Sequence, residues 1–265
     1  MGELQTQIGC WQRGEVSGER LQRAFVAHED WLFFVAEGGV EKWRREGGPP
    51  DYVLRTDADG NKSLYIFSDA EAIKTYVKES GVTEWRCEVV TAAGADIFVS
   101  LPGDLTEVTV NPATPHAVSY RGEELKALRE VAEADYVERE LRSLSDGSVG
   151  DEDGLRRIVS DFRRYENFHL VSYLGGDGRW TYPRYAAGDG SNWVVAFTAL
   201  DNANLYLKAC AAELPGRYRV GRLGGEGLAR IALALDGPGV LFNWEGYVKP
   251  LMLNSQFLQL VCDAQ

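Results

Sequence analysis

One hydrophobic pattern occurs twice along the chain. In residues 64–78, a run of apolar residues is followed by the hydroxyl residue Ser68 and then by apolar positions at helical spacing. Residues 194–208 repeat this order, with Thr198 at the place of Ser68 and a constant offset of 130 positions. A short apolar run predicts a buried strand, and the i, i+3, i+4 spacing predicts an amphipathic helix. The pattern therefore predicts a duplicated strand–helix unit.

Each copy is preceded by the same turn signal, Asp59-Gly60 in the first and Asp189-Gly190 in the second. An Asp-Gly pair between two apolar runs predicts a β-hairpin, because glycine supplies the positive φ that the turn needs. A calcium-binding loop that starts at Asp57 is excluded. Its sixth position would be Lys62 where glycine is required, and its twelfth would be Ser68 where glutamate is required.

The chain before the first copy carries weaker signals. Residues 1–16 show no clear period and predict a loose lead-in segment. Ser17 is suited to cap a helix, and Trp31–Val35 is a dense apolar run that predicts a buried strand. Glycine and proline residues surround the charged stretch Glu41–Arg45, which predicts a loop.

Capping signals bound the predicted helices of the two copies. Ser68-x-x-Glu71 has the form of a capping box, in which the serine accepts a hydrogen bond from a first-turn amide. Thr198-x-x-Asp201 is a weaker version at the same place. Gly81 predicts the end of the first of these helices.

The rest of the first copy predicts two strands and a long helix. Glu107–Val110 alternates in polarity and stops at Asn111-Pro112, and residues 117–120 predict a short strand. A charged helix is predicted over 122–142. Residues 95–101 fit either a short helix or a strand.

The same order restarts after a polar, Gly-rich and acidic segment, residues 143–154, which predicts a linker. Beyond it, Val240–Asn243 corresponds to Val108–Asn111 of the first copy. We therefore expect an α+β protein of two tandem repeats, 17–142 and 155–265. Each repeat would be a small mixed or antiparallel sheet packed with helices, and the pair would have a pseudo-two-fold arrangement.

The net charge of −12 is concentrated in the first half of the 265 residues. Residues 1–150 hold 16 Lys and Arg against 27 Asp and Glu, a net charge of −11, and the remainder has −1. An acidic surface disfavours nucleic acid as a partner, since phosphate contacts need clustered Lys and Arg. It suits either solubility or association with a basic protein.

Several other classes are disfavoured by the residues present. The four cysteines, at positions 10, 87, 210 and 262, lack the spacing of a zinc site or of a disulfide framework. The first residues lack the pattern of a secretory signal, and no apolar run approaches the ~18 residues of a membrane helix. We expect a cytoplasmic protein that uses neither metal nor cofactor and does not bind a membrane.

His116 is the strongest candidate for catalysis, because Pro112 and Pro115 stiffen the loop that carries it. The matching place in the second repeat is Val248, so the fold does not require an imidazole there. The chain lacks both a G-x-S-x-G elbow and a complete phosphate loop. A turn histidine in solvent is the alternative interpretation, and we expect no catalytic residue.

Tryptophans beside arginines are the candidates for partner binding, because both residue types are enriched at the centres of protein interfaces. Trp43-Arg44-Arg45, Arg179-Trp180 and Trp244 all fall in loop-like or Gly-flanked stretches. Packing beneath long loops is the alternative for Trp43 and Trp180. The predicted partner-binding residues are Trp43, Arg44, Arg45, His116, Trp180 and Trp244.

Phe67-Ser68, Val110-Asn111-Pro112 and the helix from Glu123 resemble the SseB N-terminal-type domain of the enhanced serine sensitivity protein family. The family pattern is a strand ending in Phe before Ser or Thr, an apolar strand ending in Asn-Pro, a short strand and a helix. The second copy has Phe197-Thr198, but Trp244 follows Asn243 where proline would be expected. The resemblance implies a bacterial α/β module with a regulatory or interaction role and without established catalytic residues.

Three functional hypotheses follow. The first is a non-catalytic interaction or regulatory protein that binds a protein partner through the acidic first repeat or the groove between repeats. Its sharper form is an immunity or antitoxin-like protein that neutralises a basic toxin. The second is an enzyme that uses His116 and neighbouring carboxylates. The third is a structural dimer, and the sequence leaves open whether the protein is a monomer or a homodimer.

Overall fold

Helices and sheets alternate along the chain, which confirms the predicted α+β class. The chain divides into two compact units, Met1–Glu133 and Ala134–Gln265. The computed structural model describes residues 3–46, 50–81, 86–145, 147–148, 151–210, 217–244 and 250–264.

The first unit is built around one mixed sheet. Its strands lie in the order β4-β1-β3-β5-β6, and β2 also pairs with β3. Strands β3 and β5 are parallel and the other pairs are antiparallel. The elements are α1 (Glu3–Gln12), α2 (Gly18–Ala27), β1 (Trp31–Ala36), α3 (Gly39–Glu46), β2 (Leu54–Thr56), β3 (Lys62–Phe67), α4 (Ala70–Ser80), β4 (Cys87–Ala92), α5 (Gly94–Val99), β5 (Glu107–Val110), β6 (Val118–Arg121) and the start of α6 (Gly122–Ser145).

Each face of this sheet carries its own apolar cluster. Alternation along β1 sends Trp31, Phe33 and Val35 into the main core, where helices α1, α2, α5 and α6 contribute apolar side chains. The other face holds a smaller cluster, in which Phe34 and Phe67 pack against α4. The main core thus lies on one side of the sheet only.

The second unit contains two sheets joined by an isolated bridge between His169 and Phe197. One sheet has the order β13-β12-β10-β9, with β10 and β12 parallel, and the other has the order β11-β7-β8. The elements are α7 (Glu152–Arg164), β7 (Phe168–Leu174), β8 (Trp180–Thr181), β9 (Arg184–Ala186), β10 (Asn192–Ala196), α8 (Leu200–Ala209), β11 (Tyr218–Leu223), α9 (Gly225–Ala234), β12 (Gly239–Phe242), β13 (Leu251–Asn254) and α10 (Ser255–Asp263).

Both predicted hairpins are confirmed. Strand β2 pairs with β3, and β9 pairs with β10, each in antiparallel register. Gly60 and Gly190 have φ of 83° and 84°, the left-handed backbone that the turn needs. In the first turn, Asp57 Oδ1 accepts hydrogen bonds from the amides of Asp59 and Asn61 at 2.9 Å.

Helix α6 contributes to the cores of both units. Its 24 residues run from Gly122 to Ser145, so the division between the units falls inside it. The buried side chains of its first half belong to the first core, and those of its second half belong to the second core. These side chains are Leu125, Leu128 and Ala132, followed by Ala134, Val137 and Leu141.

Two segments predicted to be irregular are helical, and those predictions are wrong. The lead-in segment contains α1, because Leu4 and Ile8 lie one turn apart and are both buried in the first core. The charged stretch Glu41–Arg45 lies in α3, whose Trp43 packs against the same core. For residues 95–101 the sequence fitted either a helix or a strand, and the structure has a helix there, α5, which ends at Val99.

The predicted linker 143–154 overlaps the two helices that flank it. Helix α6 continues to Ser145, and α7 begins after Asp151, whose carboxylate accepts a hydrogen bond from the Gly154 amide at 2.7 Å. Residues 146, 149 and 150 lie outside the described part of the chain. The limits 17–142 and 155–265 stay a prediction about the repeated sequence.

Two of the predicted helix caps are observed, and two are not. Ser17 caps α2 by accepting from the Arg20 amide, and Gly81 ends α4 in the left-handed conformation. The predicted capping boxes are wrong. Asp69 is the N-cap of α4, and the N-cap of α8, Ala199, makes no side-chain hydrogen bond. The hydroxyls of Ser68 and Thr198 are instead used in the contacts described next.

An asparagine follows the parallel strand β5 and organises the chain around it. Asn111 is buried, with φ of 49°, a left-handed conformation that asparagine tolerates. Its Oδ1 accepts from the Ser68 amide at 2.8 Å, and its Nδ2 donates to Ser68 Oγ at 3.0 Å. Ser68 Oγ donates to Asp69, which also accepts from Gln5. This cluster links the ends of β3 and β5 to α1.

The second unit has a comparable cluster after β12, but with a buried carboxylate. Asn243 has φ of 57°, and its Oδ1 accepts from the Thr198 amide at 3.1 Å. Its Nδ2 donates to Glu138 at 2.8 Å, and Thr198 Oγ1 donates to the same carboxylate oxygen. Glu138 is only 8% exposed, so both donors offset the loss of its hydration. Tyr165 adds a hydrogen bond to the Thr198 carbonyl.

Two glycines allow a helix to begin directly against the backbone of another helix. Gly94 starts α5, where an added Cβ would lie 2.1 Å from the Phe25 carbonyl oxygen of α2. Gly225 starts α9, where an added Cβ would lie 1.9 Å from the Phe162 carbonyl oxygen of α7. The Gly225 amide also donates to the Tyr165 carbonyl at 3.0 Å.

Candidate functional site

The sheet β11-β7-β8 of the second unit carries an exposed tryptophan next to several arginines. We call Arg179, Trp180, Arg217 and Arg219 the Trp180 surface. In the strand register, Trp180 lies opposite Leu174 and Arg219 lies opposite Ser172. Arg217 lies next to Leu174 on the other side of β7, where its carbonyl accepts from the Leu174 amide at 2.8 Å. The register therefore places Trp180, Arg217 and Arg219 on one face of the sheet.

A tight turn places Trp180 at the edge of this sheet. The Gly175 amide donates to the Arg179 carbonyl at 2.8 Å, and Gly178 takes a φ of 77°. Asp177 accepts from the Arg179 amide at 3.0 Å, which fixes the turn from inside. Strand β8 is only two residues long, and both are exposed. The local sequence thus forms a hairpin that presents the indole without burying it.

The side chain of Arg219 is held over the Trp180 ring. Its guanidinium carbon lies 4.3 Å from the ring centroid, within the range of a cation–π contact. Its Nε donates to Ser172 Oγ at 3.2 Å, and Ser172 is buried. Two contacts therefore hold this long side chain, so a partner that uses it loses less side-chain entropy on binding.

The Trp180 surface is accessible and positively charged. Trp180 is 42% exposed, and the neighbouring Tyr218, on the opposite face of β11, is 51% exposed. Arg179, Arg217 and Arg219 are exposed, and the ion pairs between described residues include none of the three. Strands β7, β8 and β11 contain no acidic residue. The arrangement suits contact with a negatively charged partner.

The predicted residues of the first unit lie elsewhere. Trp43 is half-buried on α3, with its ring centroid 6.5 Å from that of Phe33, so packing accounts for it. Arg45 is exposed on the same helix. Arg44 belongs to α3, but its side chain lies outside the described part of the structure.

His116 lies in the loop between β5 and β6. Its backbone amide donates to Thr114 Oγ1 at 3.2 Å, and its ring Nδ1 is buried without a hydrogen-bond partner. The preceding Pro115 carbonyl accepts from Gln12 of α1 at 3.1 Å. The imidazole is half-buried, and no contact described for it supplies the carboxylate or hydroxyl that a general base would need.

Trp244 follows Asn243 and packs within its unit. Its ring centroid lies 4.4 Å from that of Tyr185, and it contacts the apolar cluster on the second face of β7 and β10. Trp180 is therefore the predicted tryptophan that the structure leaves most available to a partner. Trp43 and Trp244 both pack against apolar clusters of their own unit.

A carboxylate surrounded by hydroxyl groups lies on the polar part of the first sheet. Glu107 accepts from Arg121 at 2.8 Å, from Ser63 at 3.1 Å and from Thr109 at 3.2 Å. Burial raises the pKa of Glu107, but the hydrogen bonds from Arg121, Ser119 and Ser63 outweigh it and lower the pKa. An ionised carboxylate occupied in this way supports the sheet and is a poor general acid.

The hydrogen bonds to Glu107 predict a pH effect on stability. Because its folded pKa lies below the usual value of 4.5, the ionised form stabilises the fold above that pH. This contribution is lost as the pH falls through the folded pKa. The difference in unfolding free energy between wild type and Glu107→Gln should therefore shrink from pH 7 to pH 3. Urea unfolding at four pH values measures it, and a constant difference would contradict the assignment.

The described residues contain neither a cluster of metal ligands nor a membrane-spanning helix. No group of three or more His, Cys, Asp or Glu side chains there could hold a metal ion. In the same part of the chain, no helix combines the length and apolar character needed to cross a membrane. None of the four cysteines forms a disulfide, and all four are half-buried.

Sequence reasoning found Trp180 but missed its partner Arg219. The two are 39 positions apart and meet only because β8 and β11 flank the same strand, β7. A usable signal was present in Tyr218-Arg219-Val220-Gly221-Arg222, where charged and apolar residues are mixed in a strand-like run. Without the register, however, this run could not be placed beside Trp180.

The fold and the Trp180 surface define an α+β protein with an exposed aromatic and basic surface, and part of the chain matches a known family model. Residues 17–127 match the family model of the SseB protein N-terminal domain, which supports the SseB resemblance for this stretch. No curated protein matches the chain. Among solved structures, Anabaena Tic22 (protein transport) is 11% identical and covers 83% of this chain and 87% of its own, with a TM-score of 0.22. So low a TM-score carries no argument.

Proposed function

We propose that this chain is a non-catalytic interaction protein of SseB type that binds a protein partner through the Trp180 surface. The observation that carries the proposal is the exposed Trp180 ring under the Arg219 guanidinium. Buried aromatic and arginine anchors dominate the energetics of protein interfaces. An exposed pair already held in place is suited to become such an anchor when a partner covers it.

The proposal includes two SseB-like copies, and several paired features of the two units support it. Both units contain a parallel strand pair, β3–β5 in the first and β10–β12 in the second. Both have an asparagine with positive φ after the second strand of that pair, Asn111 and Asn243. Both start a helix with a glycine against a carbonyl oxygen, Gly94 and Gly225. The pseudo-two-fold arrangement remains part of the proposal.

The proposal includes no catalytic role, because the carboxylates of Glu138 and Glu107 are already used in structural hydrogen bonds. In the cluster around Asn243, the Glu138 oxygen accepts from both Asn243 and Thr198. In the sheet of the first unit, Glu107 is occupied by three donors. These groups are committed to structure, and a catalytic carboxylate would need a position facing a substrate.

The proposed partner has an acidic contact region, because the Trp180 surface is positive. This differs from the expectation of a basic partner bound by the acidic residues 1–150, which stays a prediction. The immunity or antitoxin-like form of the function depends on that acidic half and also stays a prediction. The proposed location in the cell is cytoplasmic.

Trp180→Ala is expected to reduce capture of the partner about fivefold or more, as for an interface anchor. The tagged protein is incubated with lysate of the native cells at low and moderate salt, and the retained protein is identified. The variant is then compared with wild type against that purified partner. The loss should occur without a change in unfolding free energy above about 1 kcal/mol, because the side chain is partly exposed.

Leu260→Ala is the matched control. Leu260 is 46% exposed on α10 and is not part of the Trp180 surface. It should bind the partner as wild type does. Equal retention by wild type, Trp180→Ala and Leu260→Ala would show that the Trp180 surface is not the binding site.

A further inference from the structure

Strand β11 forms a free edge of its sheet in the described part of the second unit, where it pairs only with β7. It is six residues long, contains no proline and is exposed along most of its length. Edge strands of this length present unpaired backbone groups to other chains, and proteins commonly block them. On the basis of the proposed function, this edge can determine the way in which the partner binds.

The register identifies which residues of β11 face outward. Arg217 accepts a hydrogen bond from Leu174, so Arg217, Arg219 and Gly221 exchange backbone hydrogen bonds with β7. The amides and carbonyls of the residues between them, Tyr218 and Val220, then point away from β7. The outer edge therefore offers the amides and carbonyls of Tyr218 and Val220 at the spacing of a β-ladder.

The side chains along this edge set the charge of its occupant. Arg217 and Arg219 are exposed on the face of the sheet that also carries Trp180, Tyr218 is 51% exposed, and the strand has no acidic residue. The corresponding edge strand of the first unit, β4, carries Glu88 and no Lys or Arg. Charge complementarity therefore favours an acidic segment at β11 and disfavours it at β4.

We propose that an extended acidic segment of the partner protein adds to β11 as a fourth strand of the sheet β11-β7-β8. Backbone hydrogen bonds to Tyr218 and Val220 supply affinity, and acidic side chains on the face that carries Arg217 and Arg219 supply specificity. Trp180 lies on the same face, where the flanking part of the partner packs. A single-stranded nucleic acid is the competing occupant of an aromatic and basic sheet. The net charge of −12 disfavours it.

The test uses a synthetic ten-residue peptide of alternating glutamate and valine, capped at both ends and labelled for fluorescence anisotropy. Three comparison probes are the peptide with alternate amides N-methylated, the peptide with lysine in place of glutamate, and a ten-residue oligothymidine. The acidic peptide should bind full-length protein, and the methylated and lysine peptides should bind about tenfold more weakly or not at all.

The protein variants are two prolines at matched positions. Tyr218→Pro removes an outward amide of β11 that β7 does not use, so the sheet should remain intact. Val89→Pro is the control in β4. Val89 is also 51% exposed, and it lies opposite Phe34, whose carbonyl accepts from Val53 on the far side of β1. Tyr218→Pro should weaken binding of the acidic peptide about tenfold, and Val89→Pro should leave it unchanged.

Hydrogen exchange gives a readout that side-chain contact alone would not produce. Bound peptide should slow exchange at the amides of Tyr218 and Val220, while Arg219 and Gly221, which already pair with β7, change little. Absence of binding at millimolar peptide, equal binding of the methylated peptide, or tighter binding of oligothymidine would overturn the proposal. If Trp180→Ala abolishes capture of the cellular partner while Tyr218→Pro does not, strand addition fails and the proposed function stands.

Discussion

Gly225→Ala is expected to destabilise the second unit by about 3 kcal/mol or more, near the upper end for overpacking a well-packed site. The added Cβ would lie 1.9 Å from the Phe162 carbonyl oxygen and 2.9 Å from the Phe162 ring. Neither the backbone of α7 nor a ring in the core can move away as a flexible side chain could. Urea unfolding followed by circular dichroism measures the loss.

Gly227→Ala in the same helix is the control for this substitution. Its Cβ would meet only Leu223 side-chain atoms at 3.7 and 3.9 Å, which is ordinary contact. Alanine is a better helix former than glycine, so a gain of about 0.5–1 kcal/mol is expected. If both variants changed stability alike, the close approach of α9 to α7 would not be the reason for Gly225.

Asn243→Ala is expected to lower the unfolding free energy by about 4 kcal/mol, because it leaves a buried carboxylate with one donor fewer. Asn243 donates to Glu138 and accepts from the Thr198 amide, and all three groups are buried. Alanine supplies none of these hydrogen bonds and is also less suited to a φ of 57°. Thermal and urea unfolding should agree on the size of the loss.

Asn111→Ala provides the comparison within the same chain. Asn111 has a similar φ of 49° and makes similar bonds to Ser68, but its cluster includes no fully buried carboxylate. We expect a loss of about 2 kcal/mol, from unsatisfied groups and backbone strain alone. The additional loss of unfolding free energy for Asn243→Ala then measures the cost of removing a hydrogen-bond donor from the Glu138 carboxylate. A loss at Asn111 equal to that at Asn243 would refute the role given to the carboxylate.

The sequence predicted the elements whose signals are local. The Asp-Gly hairpins, the strands ending at Phe67 and Val110, and the Ser17 cap all depend on a few adjacent residues. Helices α1 and α3 were missed because short amphipathic segments carry weak periodicity, and tertiary packing of Leu4, Ile8 and Trp43 decides their conformation.

The candidate site could be predicted only in part, for a related reason. Trp180 lies in a Gly-flanked segment, and its exposure follows from a hairpin that the sequence itself encodes. The contact with Arg219 depends on which strands neighbour β7, and that order is not written in any single stretch. In the same way, the local sequence made Ser68 and Thr198 look like helix caps. Their hydrogen-bond partners, Asn111 and Asn243, lie more than 40 positions away and could not be identified from the local sequence.

Helix α6 has a consequence for the order in which the chain acquires its structure. The side chains Val137 and Leu141, and the carboxylate of Glu138, are synthesised before any strand of the unit that they complete. The first unit, in turn, is finished only when Leu125 and Leu128 have been added. During synthesis, the first core can therefore close around the start of a helix whose other half still lacks its core. That unpaired half provides a ready surface on which the second unit can nucleate.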